Sequence, residues 1–86
     1  MKVAHIGFVI DKSRQELQEE KEVLQRIGDE IKKLRLEKGL SQYELAIDAK
    51  ITENQIGRIE RAEINTSILN LYNIAKALDV DIRELI

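Results

Sequence analysis

The residues best equipped for chemistry in this chain gather in positions 41–61, SQYELAIDAKITENQIGRIER. This stretch carries amide, hydroxyl, carboxylate and guanidinium groups, which suit recognition by hydrogen bonding. Bond-making chemistry has no foothold. The chain has no cysteine, and its one histidine, His5, stands far from the cluster. No Gly-rich phosphate loop and no spaced set of metal ligands occurs. The 16 acidic residues are spread along amphipathic segments, where carboxylates usually form a solvated face. Catalysis, a metal site and a cofactor are therefore not expected.

The apolar positions around these groups predict what must hold them. Leu45, Ala46, Ala49, Ile51, Ile56 and Ile59 fall so that two helices, joined by a tight turn, bury one face each. Ser41 can cap the first and Thr52 the second. Helix pairs of this kind push their second helix into the major groove of DNA.

The rest of the chain reads as further helices. Ser13 and Glu16 have the spacing of a capping box, which predicts a helix starting near Arg14. Leu17, Leu24 and Ile31 repeat every seven residues, with Val23, Ile27 and Leu34 beside them. The repeat is too short to establish a coiled coil. Gly28, inside the stripe, marks a kink or a close approach by a neighbouring helix. We read 14–38 as one helix, ended by Gly39 with Lys38 in its last turn. Leu40 tucks inward, helix two runs from Ser41 to about Ala49, and helix three from Thr52 to about Glu60. After a loop at 61–66, Ser67 opens a fourth helix carrying Ile68, Leu71, Ile74, Ala75 and Leu78. Asp79 and Val80 break it, and Asp81 caps a short fifth helix whose Ile82, Leu85 and Ile86 face inward. The expected class is all-α with five helices. Residues 1–10, with an apolar run from Phe8 to Ile10 after Gly7, read as a frayed or locally packed terminus. The alternative is an arm or strand that pairs with a second subunit.

At 86 residues the chain forms one domain at most. Aromatics are only 3%, so Leu, Ile, Val and Ala must fill the core. With no cysteine, disulfides are excluded. No apolar run approaches a membrane span. The segment VAHIGFVI after Lys2 is followed by acidic residues and no small-residue cleavage site, so it is not read as a signal peptide. A cytoplasmic protein is expected. The net charge of −2 argues against nucleic-acid binding, which usually shows a basic footprint. The charges are segregated, however. Lys32, Lys33, Arg35, Lys50, Arg58 and Arg61 lie within or beside the helix pair, and Glu16, Glu19, Glu20 and Glu22 lie upstream.

Residues 26–86 closely resemble the lambda-repressor-like (Cro/cI, XRE) family of helix-turn-helix regulators. The resemblance rests on LRLEKGLSQ, then ELA, then ITENQIGRIER, then the closing LYNIAKALDVDIREL, in that order and spacing. It implies a five-helix DNA-binding domain at 26–86, preceded by an arm and helical extension at 1–25 on which it is silent. By position it points Glu53, Asn54 and Arg58 at base edges, with Gln55 at the margin. The chemistry fits: Arg58 can bond guanine O6 and N7, Asn54 adenine N6 and N7, and Glu53 can accept from cytosine N4. The resemblance puts Gln42 on a DNA phosphate, and Thr52, Asn65, Thr66 and Ser67 could add contacts around the rim. It makes Arg35 and Glu60 an internal ion pair that links helix one to the end of helix three.

Some positions depart from the family pattern. Lys50 and Ala62 replace customary glycines, the first where a positive φ is often needed. Glu63 and Ile64 stand where basic or polar residues are frequent, and Thr66 where proline is. An acidic residue in that loop weakens phosphate attraction. The resemblance implies a sequence-specific transcriptional regulator, a repressor, reading a two-fold symmetric duplex site as a homodimer. Dimer contacts would come from residues 82–86 or from the N-terminal segment. The alternative is a protein-interaction module on the same fold, an antitoxin-like or adaptor subunit, with a protein partner held through residues 1–25.

Overall fold

The computed structural model describes the backbone from Lys2 to Ile86 and the side chains from residue 14 onward. Four α-helices follow one another: α1 (Lys2–Glu37), α2 (Gln42–Ala49), α3 (Glu53–Glu60) and α4 (Ile68–Ala77), then a 3-10 turn at Ile82–Glu84. Among the described residues there is no strand.

Local chemistry sets most of the boundaries. Gly39 adopts φ 69° after α1, and the Leu40 N–H donates to the Arg35 carbonyl at 3.0 Å, closing the helix end. Ser41 caps α2 reciprocally: its hydroxyl accepts from the Glu44 N–H at 3.0 Å, and its own N–H donates to the Glu44 carboxylate at 2.9 Å. Thr52 and Gln55 repeat the arrangement at the start of α3, and the Ser67 hydroxyl accepts from the Asn70 N–H at α4. Lys50 makes the turn between α2 and α3 at φ 61°, a conformation that costs a residue with a Cβ about 1–2 kcal/mol. Ala62 and Asp79 also sit in the left-handed region, at φ 58° each.

One core joins the four helices and the 3-10 turn. Ile31 from α1, Leu45 from α2, Ile56 from α3, and Ile74, Leu78 and Leu85 beyond are fully enclosed. Each such side chain contributes about 1.5–3 kcal/mol relative to exposure. α2 packs on both α3 and α4, and α1 lies against α3. Gly28 marks a close approach: a Cβ there would stand 2.6 Å from the Ile59 carbonyl oxygen and 2.7 Å from that of Glu60.

The structure departs from the sequence reading at both ends. The C-terminal segment is not a fifth α-helix but a single 3-10 turn. The Glu84 N–H bonds the Asp81 carbonyl and the Leu85 N–H bonds that of Ile82, both three residues back. Within it Leu85 is buried and Ile82 half-buried, but Ile86 is exposed. At the other end, α1 does not begin at Arg14. Its backbone is helical from Lys2, so Ser13 lies inside the helix and residues 2–10 are not a strand. No proline interrupts this stretch, and the capping-box spacing had no chain break to act on. The side chains of residues 1–13, His5 included, lie outside the described residues.

Candidate nucleic-acid interface

The position of α3 is set by a buried cluster at its C-terminal end. The Arg35 guanidinium donates from Nε to Glu60 Oε2 at 2.7 Å and from Nη2 to Oε1 at 3.0 Å. Its third arm, Nη1, donates to the Leu40 carbonyl at 2.9 Å. Both residues are buried, and the pair raises the Arg35 pKa above its ordinary value, chiefly through the hydrogen bond to Glu60. Gln42 at the start of α2 completes the cluster, its amide nitrogen donating to Glu60 Oε1 at 3.0 Å. Among the described residues no buried side-chain polar atom lacks a partner. One carboxylate thus ties the last turn of α1, the first turn of α2 and the last turn of α3.

With its inner face held, α3 turns Glu53, Asn54 and Arg58 outward; all three are exposed. Among the described residues the Glu53 and Asn54 side chains make no hydrogen bond and no ion pair, so their polar groups are open to a ligand. Gln55 is placed differently. Its side-chain oxygen accepts from the Thr52 N–H at 3.1 Å and from the Thr52 hydroxyl at 3.2 Å, so the residue belongs first to the helix cap. Only its amide N–H groups remain free. Thr52 and Ser67 likewise spend their hydroxyls on caps, and the Thr66 hydroxyl accepts from the Asn70 amide at 3.0 Å.

A shallow groove brings Gln42, Glu53, Asn54, Gly57 and Arg61 together. Arg61 is the member that sequence reasoning did not single out. It reaches the groove because Gly57, one turn earlier, has no side chain. A Cβ on Gly57 would stand 2.9 Å from Arg61 Nη1 and 3.4 Å from Gln42 Oε1. That pairing of a glycine and an arginine four residues apart was the available signal. Asn65 does not join this group; it borders a separate groove with Glu20, Val23 and Leu24 of α1.

Glu63 sets the electrostatics of the rim. Its carboxylate accepts from Arg61 Nε at 2.7 Å and lies 3.8 Å from Arg58 Nε. The hydrogen bond from Arg61 holds the Glu63 pKa below the usual carboxylate range. Two cations beside the open face of α3 are therefore partly neutralised from within. Of the other cations that the sequence places near the helix pair, Arg35 is buried, while Lys32, Lys33 and Lys50 are exposed. Among the described residues no group of three or more His, Cys, Asp or Glu is arranged to hold a metal, and no helix is long and apolar enough to cross a membrane.

The chain is similar to known proteins in sequence and fold. The family model described as Helix-turn-helix matches residues 31–85. The uncharacterized HTH-type transcriptional regulator y4dJ of Sinorhizobium fredii is 33% identical over 60 residues, which span 70% of this chain and 78% of that protein. Among solved structures, the restriction-modification controller protein C.AhdI from Aeromonas hydrophila is 38% identical, with a TM-score of 0.72 over 73% of this chain and 96% of its own. The hypothetical transcription factor NHTF from Neisseria is 27% identical, with a TM-score of 0.73 over 77% of this chain and 76% of its own. The capped helix pair, its buried arginine–glutamate lock and these likenesses lead to one conclusion: the chain belongs to the helix-turn-helix family, in its lambda-repressor-like (XRE) branch.

Proposed function

We propose that this chain is a sequence-specific DNA-binding transcriptional regulator that reads duplex DNA with α3. The observation that carries this reading is the division of α3 into a locked inner face and an open outer one. Glu60 is bound by Arg35 and Gln42, while Glu53, Asn54 and Arg58 stand exposed. Those three side chains supply both donors and acceptors for base edges in the major groove. Gln42 contacts a backbone phosphate through its remaining amide N–H, and Arg61, which shares its groove, adds a charge-assisted contact. Thr52, Thr66 and Ser67, exposed or half-buried at the rim, contribute at most secondary phosphate contacts, since the Thr52 and Ser67 hydroxyls already serve caps and that of Thr66 accepts from the Asn70 amide. Asn65 is the weakest of the phosphate candidates, because its groove includes the acidic Glu20.

Residues 26–86 form the reading domain and residues 1–25 an extension. The protein acts as a repressor on a two-fold symmetric site, as a homodimer with half-sites about 34–36 Å apart. It has no catalytic role and works in the cytoplasm. The relative y4dJ is named a transcriptional regulator and C.AhdI a restriction-modification controller. Both names support regulation as the activity, and the second suggests control of a restriction–modification gene pair as the setting.

A reporter experiment tests the repressor reading. A duplex site selected by the protein, placed across a promoter, should lower transcription when the chain is co-expressed, and Arg58→Ala should relieve that effect. Raised transcription, with the site placed upstream, would make the protein an activator. No change at either placement would argue against transcriptional control.

A further inference from the structure

We propose that Glu53 ties binding to an unmethylated exocyclic amino group on DNA, so that a duplex carrying N4-methylcytosine or N6-methyladenine at that position is refused. The inference rests on the reading of duplex DNA by α3, and it names the chemical state of the DNA that this face accepts.

Glu53, Glu60 and Glu63 are the carboxylates on α3 or just after it, and the last two are committed. Glu60 takes bonds from Arg35 and Gln42 in the buried cluster. Glu63 takes the Arg61 guanidinium, from Nε at 2.7 Å and from Nη2 at 3.3 Å. Glu53 opens α3, is exposed, and lies in one groove with Arg61. Arg61 nonetheless spends those two donors on Glu63, and among the described residues Glu53 has no hydrogen-bond or ion-pair partner. The loop carboxylate thus leaves the helix carboxylate unneutralised, at the end of α3 that the regulator reading turns toward the bases.

An ionised carboxylate accepts hydrogen bonds and donates none. Donors are few along the major-groove edges of the bases. Cytosine N4 and adenine N6 carry amino hydrogens, whereas guanine O6 and N7 and thymine O4 are acceptors. A base edge without an amino group would repel Glu53 and strip its water without replacing it, and an unpaired charge is costly to desolvate. Glu53 therefore selects by exclusion. Guanine and thymine are refused, and cytosine or adenine is accepted through one amino N–H. Asn54, the next residue and also exposed, suits adenine N6 and N7 and makes the same demand at a neighbouring base.

That N–H is a modifiable group. Watson–Crick pairing uses one hydrogen of each amino nitrogen and leaves the other facing the major groove. A methyl group on that nitrogen preserves the base pair only by taking the groove-facing place. The Glu53 carboxylate then meets a methyl group in place of a donor. Methylation at cytosine C5, by contrast, leaves both amino hydrogens where they were. The first-turn position of Glu53 also suits the helix dipole, but that role alone predicts no dependence on the state of the DNA.

The experiment uses the full chain and the duplex that it selects from a random library. Each cytosine or adenine of that duplex is replaced, one symmetric pair at a time, by N4-methylcytosine or N6-methyladenine, and each cytosine separately by 5-methylcytosine. At one position the amino methyl should lower affinity by about ten- to a hundredfold, the scale of a mismatched base pair. Where that position is cytosine, 5-methylcytosine should not. Glu53→Ala should bind the unmodified duplex less well, yet bind it and the form methylated at that position equally. Its far-ultraviolet circular dichroism should match that of the parent chain, since the side chain is exposed. A second sensitive position should answer to Asn54→Ala instead. Indifference to amino methylation at every position, or methyl penalties that all survive Glu53→Ala, would overturn the proposal. An equal loss from 5-methylcytosine would overturn it too, because bulk and not the missing hydrogen would then be responsible. Recovery of no consensus duplex would overturn the regulator reading and this inference together, whereas a consensus that tolerates amino methylation would overturn the inference alone.

Discussion

Arg35 and Glu60, 25 residues apart in sequence, form a buried two-bond ion pair with a shortest separation of 2.7 Å. The pair fixes α3 against α1, so its loss is felt first as lost stability. Arg35→Ala strands the Glu60 carboxylate and should cost about 3–5 kcal/mol, read as a lower urea midpoint and melting temperature. The double variant Arg35→Met with Glu60→Leu should regain much of that loss, leaving Gln42 without its acceptor. An Arg35→Ala protein of unchanged stability would contradict the structural role.

Two small residues should respond in opposite directions to one methyl group. Gly28→Ala places a Cβ against the Ile59 and Glu60 carbonyls and should destabilise by about 1–3 kcal/mol through overpacking. Ala62→Gly relieves a left-handed residue at φ 58° and should stabilise by about 1 kcal/mol. Chemical denaturation of both variants checks the pair of signs.

Arg58→Ala should leave the fold intact, since the side chain is exposed and its one ion pair among the described residues is to Glu63, itself exposed. In duplex binding it should lose about 1–3 kcal/mol and relax preference at one base pair. Asn54→Ala should act similarly at a different base pair. A uniform loss across all sequences would instead make Arg58 a phosphate contact.

Under the proposed DNA-reading function, Glu63 would compete with DNA phosphates for Arg61 and Arg58, both of which it pairs with. Glu63→Gln should raise affinity for any duplex by roughly two- to fivefold, the scale of an exposed ion pair. It should also steepen the salt dependence by about one counterion. Binding measured across salt concentrations reads both effects. Unchanged affinity would mean that the carboxylate does not restrain the two arginines.

The 3-10 turn carries a pH-dependent cap. Hydrogen bonds from the Arg83 side chain, and then from its N–H, hold the Asp81 pKa at about 2, below its ordinary value. A depressed carboxylate stabilises the folded state above its unfolded pKa and loses that contribution as pH falls through the folded value. The cap should therefore be intact above about pH 4 and lost toward pH 2. Asp81→Asn should flatten stability across that window. An unaltered pH profile would show that the cap does not matter.

How much of this was legible depends on how local the cause is. The caps at Ser41, Thr52 and Ser67 could be read because each bonds a backbone group three residues away, and the core stripe because helical spacing repeats. The Arg35–Glu60 pair followed from family resemblance, since no spacing rule connects residues so far apart. The start of α1 was misplaced because Ser13 and Glu16 satisfy a capping signature inside an unbroken helix. Gln55, placed at the margin of the reading face, was not assigned to the Thr52 cap because its amide suits either role. Arg61 counted only as a nearby cation because its place in the groove depends on the space left by Gly57 and on Gln42 from another helix. Ile86 pointed the other way because one 3-10 turn presents a different face from an α-helix.

Selection from a randomised duplex library, at low and at moderate salt, tests the central claim most directly. The account predicts a recovered palindrome with half-sites one DNA turn apart, with Arg58→Ala relaxing one symmetric pair of positions. Recovery of no consensus at either salt would contradict sequence reading by α3.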